Sequence, residues 1–245
     1  MRKNMPPRVW GACGWRTLYR LAQAFAPGAA PLDAALLQCF QALPHALPCT
    51  SCRVNVRKEL ADMPPQAALA SSAAALEYVN RLHNSVSVRL GKPQQSLAQL
   101  AGGLLQDDDG VTALWDFLVA VAYAYPPAPT PEEAAALRGL LRGIVVLLPR
   151  LAEPLSLSDG SSLASQEALA QHVQRARNAA LGTTDTFEGM VASLFKKKPL
   201  PPAPAPVHMG PAGRTALGVA LLALLLLIIV IVVIACQKKR QRLYK

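Results

Sequence analysis

The sequence predicts an all-α protein with one membrane-spanning helix near its C-terminal end, and three observations carry that reading. Alanine and leucine dominate as far as residue 215 and long β-branched runs are missing there, which favours helix over strand. The segment "ALGVALLALLLLIIVIVVIAC", Ala216–Cys236, has 21 residues and no charge; as a helix it is about 30 Å long, the thickness of a bilayer core. The formal charge of +10 is unevenly spread, since 196–245 holds nine Lys/Arg and no Asp/Glu and leaves 1–195 at a net of +1. A nearly neutral body argues against a nucleic-acid face, and basic residues flanking an apolar run suit a membrane surface. The length of 245 residues suffices for one large or two small domains.

Taken in order, the first stretch, "MRKNMPPRVWGACGW", lacks the apolar run of a secretory signal. Next comes "LPCTSC", Leu47–Cys52, for which a metal site, a redox disulfide and chance are all open. Structural zinc normally takes four Cys/His ligands, often as two close pairs. The chain has five cysteines (Cys13, Cys39, Cys49, Cys52, Cys236) and four histidines (His45, His83, His172, His208), with no second close pair. A disulfide-stapled secreted fold is poorly matched as well. If Pro48 opens a helix, "CTSCRVNVRKEL" continues it and both cysteines lie at its N-terminus. There the dipole and free N–H groups stabilise thiolate, as thiol–disulfide exchange requires. Further on, "YVNRLHNSVSVRLGKP", Tyr78–Pro93, ends a long helix that stops near Gly91 and Pro93. His83 and Ser87 share one of its faces, with Asn84 and Val88 beside them.

Three motifs in this order, W-x-x-L at Trp15–Leu18, "LPCTSC" at Leu47–Cys52 and "HNSVSVRLGKP" at His83–Pro93, resemble the Erv/ALR family of FAD-dependent sulfhydryl oxidases. That family shows W-x-x-L-H, then P-C-x-x-C, then H-N-x-V-N-x-x-L-x-K-P at similar gaps, and the resemblance covers residues 10–93. It implies a four-helix bundle over residues 8–95 that holds FAD with its flavin beside the disulfide. Cys49 would be the exchange cysteine that meets substrate, and Cys52 would face the flavin. Gly14, Trp15, His83, Asn84, Arg89, Leu90 and Lys92 would line the cofactor, Lys92 near its phosphates. Tyr78 stands where the family has Trp and would stack on the adenine of the cofactor. Two positions depart from the pattern: the His after W-x-x-L is Tyr19, and the second Asn of H-N-x-V-N is Ser87. Both approach the flavin in the family, so these two replacements bear on affinity and potential. Cys13 and Cys39 are either buried free thiols or a pair that relays electrons to Cys49. The alanine-rich composition suggests a divergent viral member.

The second half repeats the first in worn form. "WDFLVAVAYAYP" at 115–126 parallels "WRTLYRLAQAFAP" at 15–27, and "PTPEEAAALRGLLRGIVVLLP" parallels "PLDAALLQCFQALPHALP". Where "LPCTSC" should recur stands "LPRLAE", Leu148–Glu153, and "VQRARN", Val173–Asn178, parallels "VNRLHN", Val79–Asn84. We expect residues 111–195 to form a degenerate copy without CxxC that covers the first domain's dimerisation face and makes a pseudo-dimer within one chain. Two generic helical bundles are the alternative. "QDDDG", Gln106–Gly110, reads as linker and helix start, because it lacks a calcium loop's ligand spacing.

Residues 196–215, with six prolines in 199–211, are expected to be a semi-rigid spacer. Residues 216–236 would span the membrane, and 237–245 form a basic tail. Cys236, at the boundary, is open to palmitoylation or inert. The five Lys/Arg of the tail favour a cytosolic tail. A chain without a signal peptide, inserted after synthesis, instead keeps its body in the cytosol, and that arrangement is preferred here. The host's intracellular membranes and a virion membrane are the two candidates for its location.

The resemblance thus implies thiol oxidation that forms protein disulfides, with oxygen reduced to hydrogen peroxide. Expected partners are protein thiols of viral or virion proteins, or a thioredoxin-like relay protein. A homodimer beyond the pseudo-dimer stays open. The alternative is a non-catalytic, membrane-anchored helical adaptor, which has no need of an intact CxxC or of H-N…L-G-K-P. A thioredoxin-type reductase would need βαβ alternation, which is not visible.

Overall fold

The computed structural model describes residues 2–101, 110–151, 154–155 and 160–197. Within them every regular element is helical: α1 (Pro7–Ala24), α2 (Ala30–Ala46), α3 (Thr50–Asp62), α4 (Ser72–Arg89), α5 (Leu97–Ala101), α6 (Gly110–Ala124), α7 (Pro131–Leu147), α8 (Gln166–Leu181) and α9 (Phe187–Lys196). A 3₁₀ turn precedes α4 at Pro65–Ala70, and another precedes α8 at Gly160–Leu163.

Proline and small polar residues punctuate the chain where the sequence puts them. Pro7, Pro31 and Pro131 sit in first turns, where a missing N–H costs nothing. Ser71, Thr130 and Ser165 accept from backbone N–H groups two or three residues into α4, α7 and α8, and Thr130 with Glu133 completes a capping box. Helix α4 ends at Arg89, with Gly91 at φ +63° behind it. Pro48 corrects the expectation for α3: it lies ahead of the N-cap, which is Cys49 itself.

In the first half α1 packs on α4 and α2 on α3, around Leu18, Leu21, Leu36, Phe40, Leu43, Val79 and Leu82. In the second half α6 packs on α8 and α9 around Trp115, Leu118, Leu137, Leu140, Ile144, Leu169 and Val173. Between the halves α1 lies on α6, and α2 lies along α7 in the most extensive helix pair of the molecule. The α2–α7 seam is close enough to require Gly143, where a Cβ would sit 2.5 Å from Cys39 Sγ and 2.6 Å from the Ala35 carbonyl.

One boundary differs from expectation. Helix α9 continues through Lys196, and Lys197 pairs with Asp116, so the spacer begins later than 196. Gln106–Asp109, the end of "LPRLAE", the proline-rich spacer and Ala216–Cys236 lie outside the described residues. Among the described residues no helix is long and apolar enough to cross a membrane.

Candidate active site

Cys49 and Cys52 are disulfide-bonded, their Cα atoms 5.1 Å apart, at the start of α3. Cys49 caps the helix: its Sγ accepts from the Cys52 N–H at 3.2 Å and lies 3.2 Å from Ser51 Oγ. One turn on, Arg53 donates to the Leu47 carbonyl at 2.8 Å and to Thr50 Oγ1 at 3.1 Å. Burial, with the neighbouring charge of Arg2, lowers the Arg53 pKa to about 10, so it remains a cation at neutral pH. A helix N-terminus favours thiolate over thiol when the disulfide opens.

The two cysteines differ in exposure. Cys52, Val56 and Glu59 recur at i, i+4 and i+7 and therefore share one face of α3. Val56 is buried and Glu59 pairs with Arg89 of α4, so this face is turned toward α4. Cys52 is half-buried on it, whereas Cys49 is 2 % exposed.

Between α1 and α4 is an aromatic and polar group. Trp15 of α1 stacks on His83 of α4, ring centroids 4.3 Å apart and planes 21° apart. The Tyr19 hydroxyl lies 3.3 Å from both Asn80 Oδ1 and His83 Nδ1. Burial, reinforced by Lys92, lowers the His83 pKa to about 4, so the imidazole is neutral. Burial also raises that of the fully buried Tyr19 phenol. Tyr19 thus occupies its position as a neutral donor where the resemblance had a histidine. Lys92, Arg89 and Leu90 are exposed at the C-terminal end of α4, and Ser87 is buried one turn beyond His83.

Other expected residues have different tasks. Asn84 Nδ2 donates to the Gln95 carbonyl and its Oδ1 accepts from the Gln95 N–H, both at 2.9 Å, so its amide holds the loop after α4. Gly14 lies against the rings of Trp10 and Phe117, on the α1–α6 contact and apart from the His83 group. Tyr78 is in the bundle interior, packed on Phe40 with its hydroxyl donating to the Met63 carbonyl at 2.8 Å. Cys13 and Cys39 are both free. Burial pushes each thiol up to about 12, which makes them poor nucleophiles and supports the buried-thiol reading over a relay. The sequence reading missed Asn80 and Glu59. Asn80 is three residues before His83 on α4, and that spacing was the available signal.

The donor set fits FAD. A flavin needs a redox disulfide beside it, flat side chains to stack on and cations for a diphosphate. Cys52 on the face of α3 turned to α4, the Trp15–His83 stack and the exposed Lys92 supply these kinds of group. Among the described residues no cluster of three or more His, Cys, Asp or Glu is placed to hold a metal ion.

A family model, the Erv1 / Alr family, matches residues 12–102. No curated protein and no solved structure matches the chain. The matched segment holds α1 from Ala12 onward, α2 to α5, the disulfide and the Trp15–His83 stack, and the family's members bind FAD. Residues 12–102 are therefore similar to the Erv1 / Alr family, whose general activity is FAD-linked thiol oxidation.

Proposed function

We propose that the chain oxidises protein thiols to disulfides, with Cys49 as the exchange cysteine, Cys52 as the flavin-side cysteine and oxygen as the acceptor. The observation that supports this best is the Cys49–Cys52 disulfide at the N-terminus of α3, with Cys52 on the face turned toward α4. A substrate thiolate attacks Cys49 Sγ; the Cys49–Cys52 bond breaks and Cys52 leaves as a thiolate, stabilised by the helix N-terminus. A second substrate thiolate then attacks the substrate sulfur of the mixed disulfide, releasing the product disulfide and Cys49 thiolate. FAD, when bound, would supply a two-electron acceptor for the dithiol that oxygen can reoxidise, with hydrogen peroxide as the product. Trp15, Tyr19, His83, Ser87, Arg89, Leu90 and Lys92 would hold it. The second half serves as a cysteine-free copy, joined to the first as a pseudo-dimer. Ala216–Cys236 anchors the protein in a membrane with the catalytic body on the cytosolic side. There it would form the disulfides of viral or virion proteins, directly or through a thioredoxin-like relay.

The test is the absorbance spectrum of the full-length protein purified in detergent, followed by oxygen uptake with dithiothreitol. A bound-flavin band, with uptake that vanishes in Cys52→Ser, is expected. A colourless, folded helical protein would overturn the reading and bring forward the membrane-anchored adaptor.

A further inference from the structure

Exchange requires that an incoming thiolate reach the attacked sulfur in line with the S–S bond, yet Cys49 is 2 % exposed. The segment Arg2–Pro6, ahead of α1, crosses the start of α3. The Met5 N–H donates to the Pro48 carbonyl at 3.0 Å, and the Thr50 N–H donates to Asn4 Oδ1 at 2.8 Å. The segment is thus tied to both chain neighbours of Cys49. Arg2 anchors its far end, donating to the carbonyls of Ala124 (2.7 Å) and His45 (2.6 Å) and to Glu133 Oε1 (2.8 Å). The Lys3 ammonium lies 5.1 Å from the Tyr123 ring centre. Met5 is fully buried, while Lys3 and Asn4 are exposed. The segment therefore lies in a groove walled by the end of α2, the end of α6 and Glu133 of α7, as an extended peptide would.

We propose that Arg2–Met5 is a strap in the substrate groove of Cys49, and that a protein thiol attacks only when the strap lifts. The vacated groove then takes an extended substrate segment whose arginine or lysine replaces Arg2 on Glu133 and on the carbonyls of His45 and Ala124. The proposal rests on Cys49 being the exchange cysteine. The substrate sulfur bonds to Cys49 Sγ as the Cys49–Cys52 bond breaks, and Cys52 departs with the electron pair. The strap is suited to release because a few hydrogen bonds and one buried side chain hold it, and its ion pair is partly open to water.

The test uses the full-length protein in detergent and a cysteine peptide carrying a flanking arginine. Opening of the Cys49–Cys52 disulfide is quenched by alkylation and read by mass, a readout independent of flavin. In Arg2→Ala/Asn4→Ala opening should quicken by about tenfold, the effect of removing the strap's polar anchors. The arginine peptide should react faster than the same peptide with glutamine, and Glu133→Gln should erase that preference. If the double variant does not fold, Asn4→Ala alone removes the acceptor for Thr50 and should quicken opening in the same direction. Unchanged rates in a folded strap variant, or no preference for the basic peptide, overturn the proposal. Faster opening in a protein that binds no flavin and takes up no oxygen would sink the oxidase reading and leave the strap standing. Oxygen uptake with strap-independent opening would sink the strap alone.

Discussion

The two tryptophans at equivalent places in the halves have opposite surroundings. Trp15 is half-buried and stacks on His83, whereas Trp115 is fully buried. In the second half α9 packs on α6 and is tied there by Lys197–Asp116 and by Phe195 against Tyr123. The face of α1 that offers Trp15 to a flat ligand has its counterpart on α6 closed by protein. One helical order therefore gives a partly open aromatic site in one half and a solid core in the other.

The seam between the halves is the largest single target. Gly143→Ala places a Cβ against Cys39 Sγ and the Ala35 carbonyl. Because backbone cannot yield like a flexible side chain, we expect a loss of about 3 kcal/mol, read by denaturant unfolding. The halves share this seam, so a single transition should move as a whole. Gly139, whose nearest neighbour atom is Gln38 Cβ at 3.7 Å, should accept alanine without such a loss. Equal behaviour of the two variants would mean that the α2–α7 contact is loose.

Much of this contrast was legible in the sequence. The paired W-x-x-L stretches, the caps and the prolines place the helices, because those signals act locally. "LPCTSC" placed two cysteines at a helix start, although the helix begins at Thr50 with Cys49 as its cap. Other features were not legible because they depend on long-range packing. Asn84 matches a cofactor motif, but its amide is committed to a loop 11 residues away. Gly14 sits inside the motif region yet faces α6. Arg2 and Asn4 carry no local pattern, and their partners lie at positions 45, 50, 124 and 133.

A smaller and pH-dependent effect separates the halves at His83. Its pKa is lowered from 6.5 to about 4, chiefly by burial and then by Lys92, so the folded state keeps it neutral while the unfolded chain takes up a proton near 6.5. Its contribution is intact above that pH, declines as pH falls from 6.5 to 4, and is gone below. The whole is at most about 3 kcal/mol, and less where water reaches the ring. Arg177 holds the corresponding place in α8 and pairs with Asp185; a guanidinium does not titrate in this range. Melting temperature against pH, in wild type and His83→Gln, checks this: the variant should lose the limb between 6.5 and 4. An unchanged limb would assign it to other groups.

The smallest predicted effect tests the equivalence of the halves most directly. Asn178 Nδ2 donates to the Asp185 carbonyl at 2.9 Å and its Oδ1 accepts from Thr183 Oγ1 at 2.8 Å. Asn84 makes two bonds to Gln95 in the matching place. Each asparagine therefore ties the end of its helix to the loop beyond it, and each alanine variant gives up two hydrogen bonds, about 1–2 kcal/mol. Equal losses would mean that the tie belongs to the shared helical order, independent of any cofactor. A markedly larger loss for Asn84→Ala in flavin-loaded protein, absent after flavin removal, would instead show that the loop carrying Lys92 is set by Asn84 for the cofactor. In that case the asparagine retained in the second half keeps only the structural part of that task.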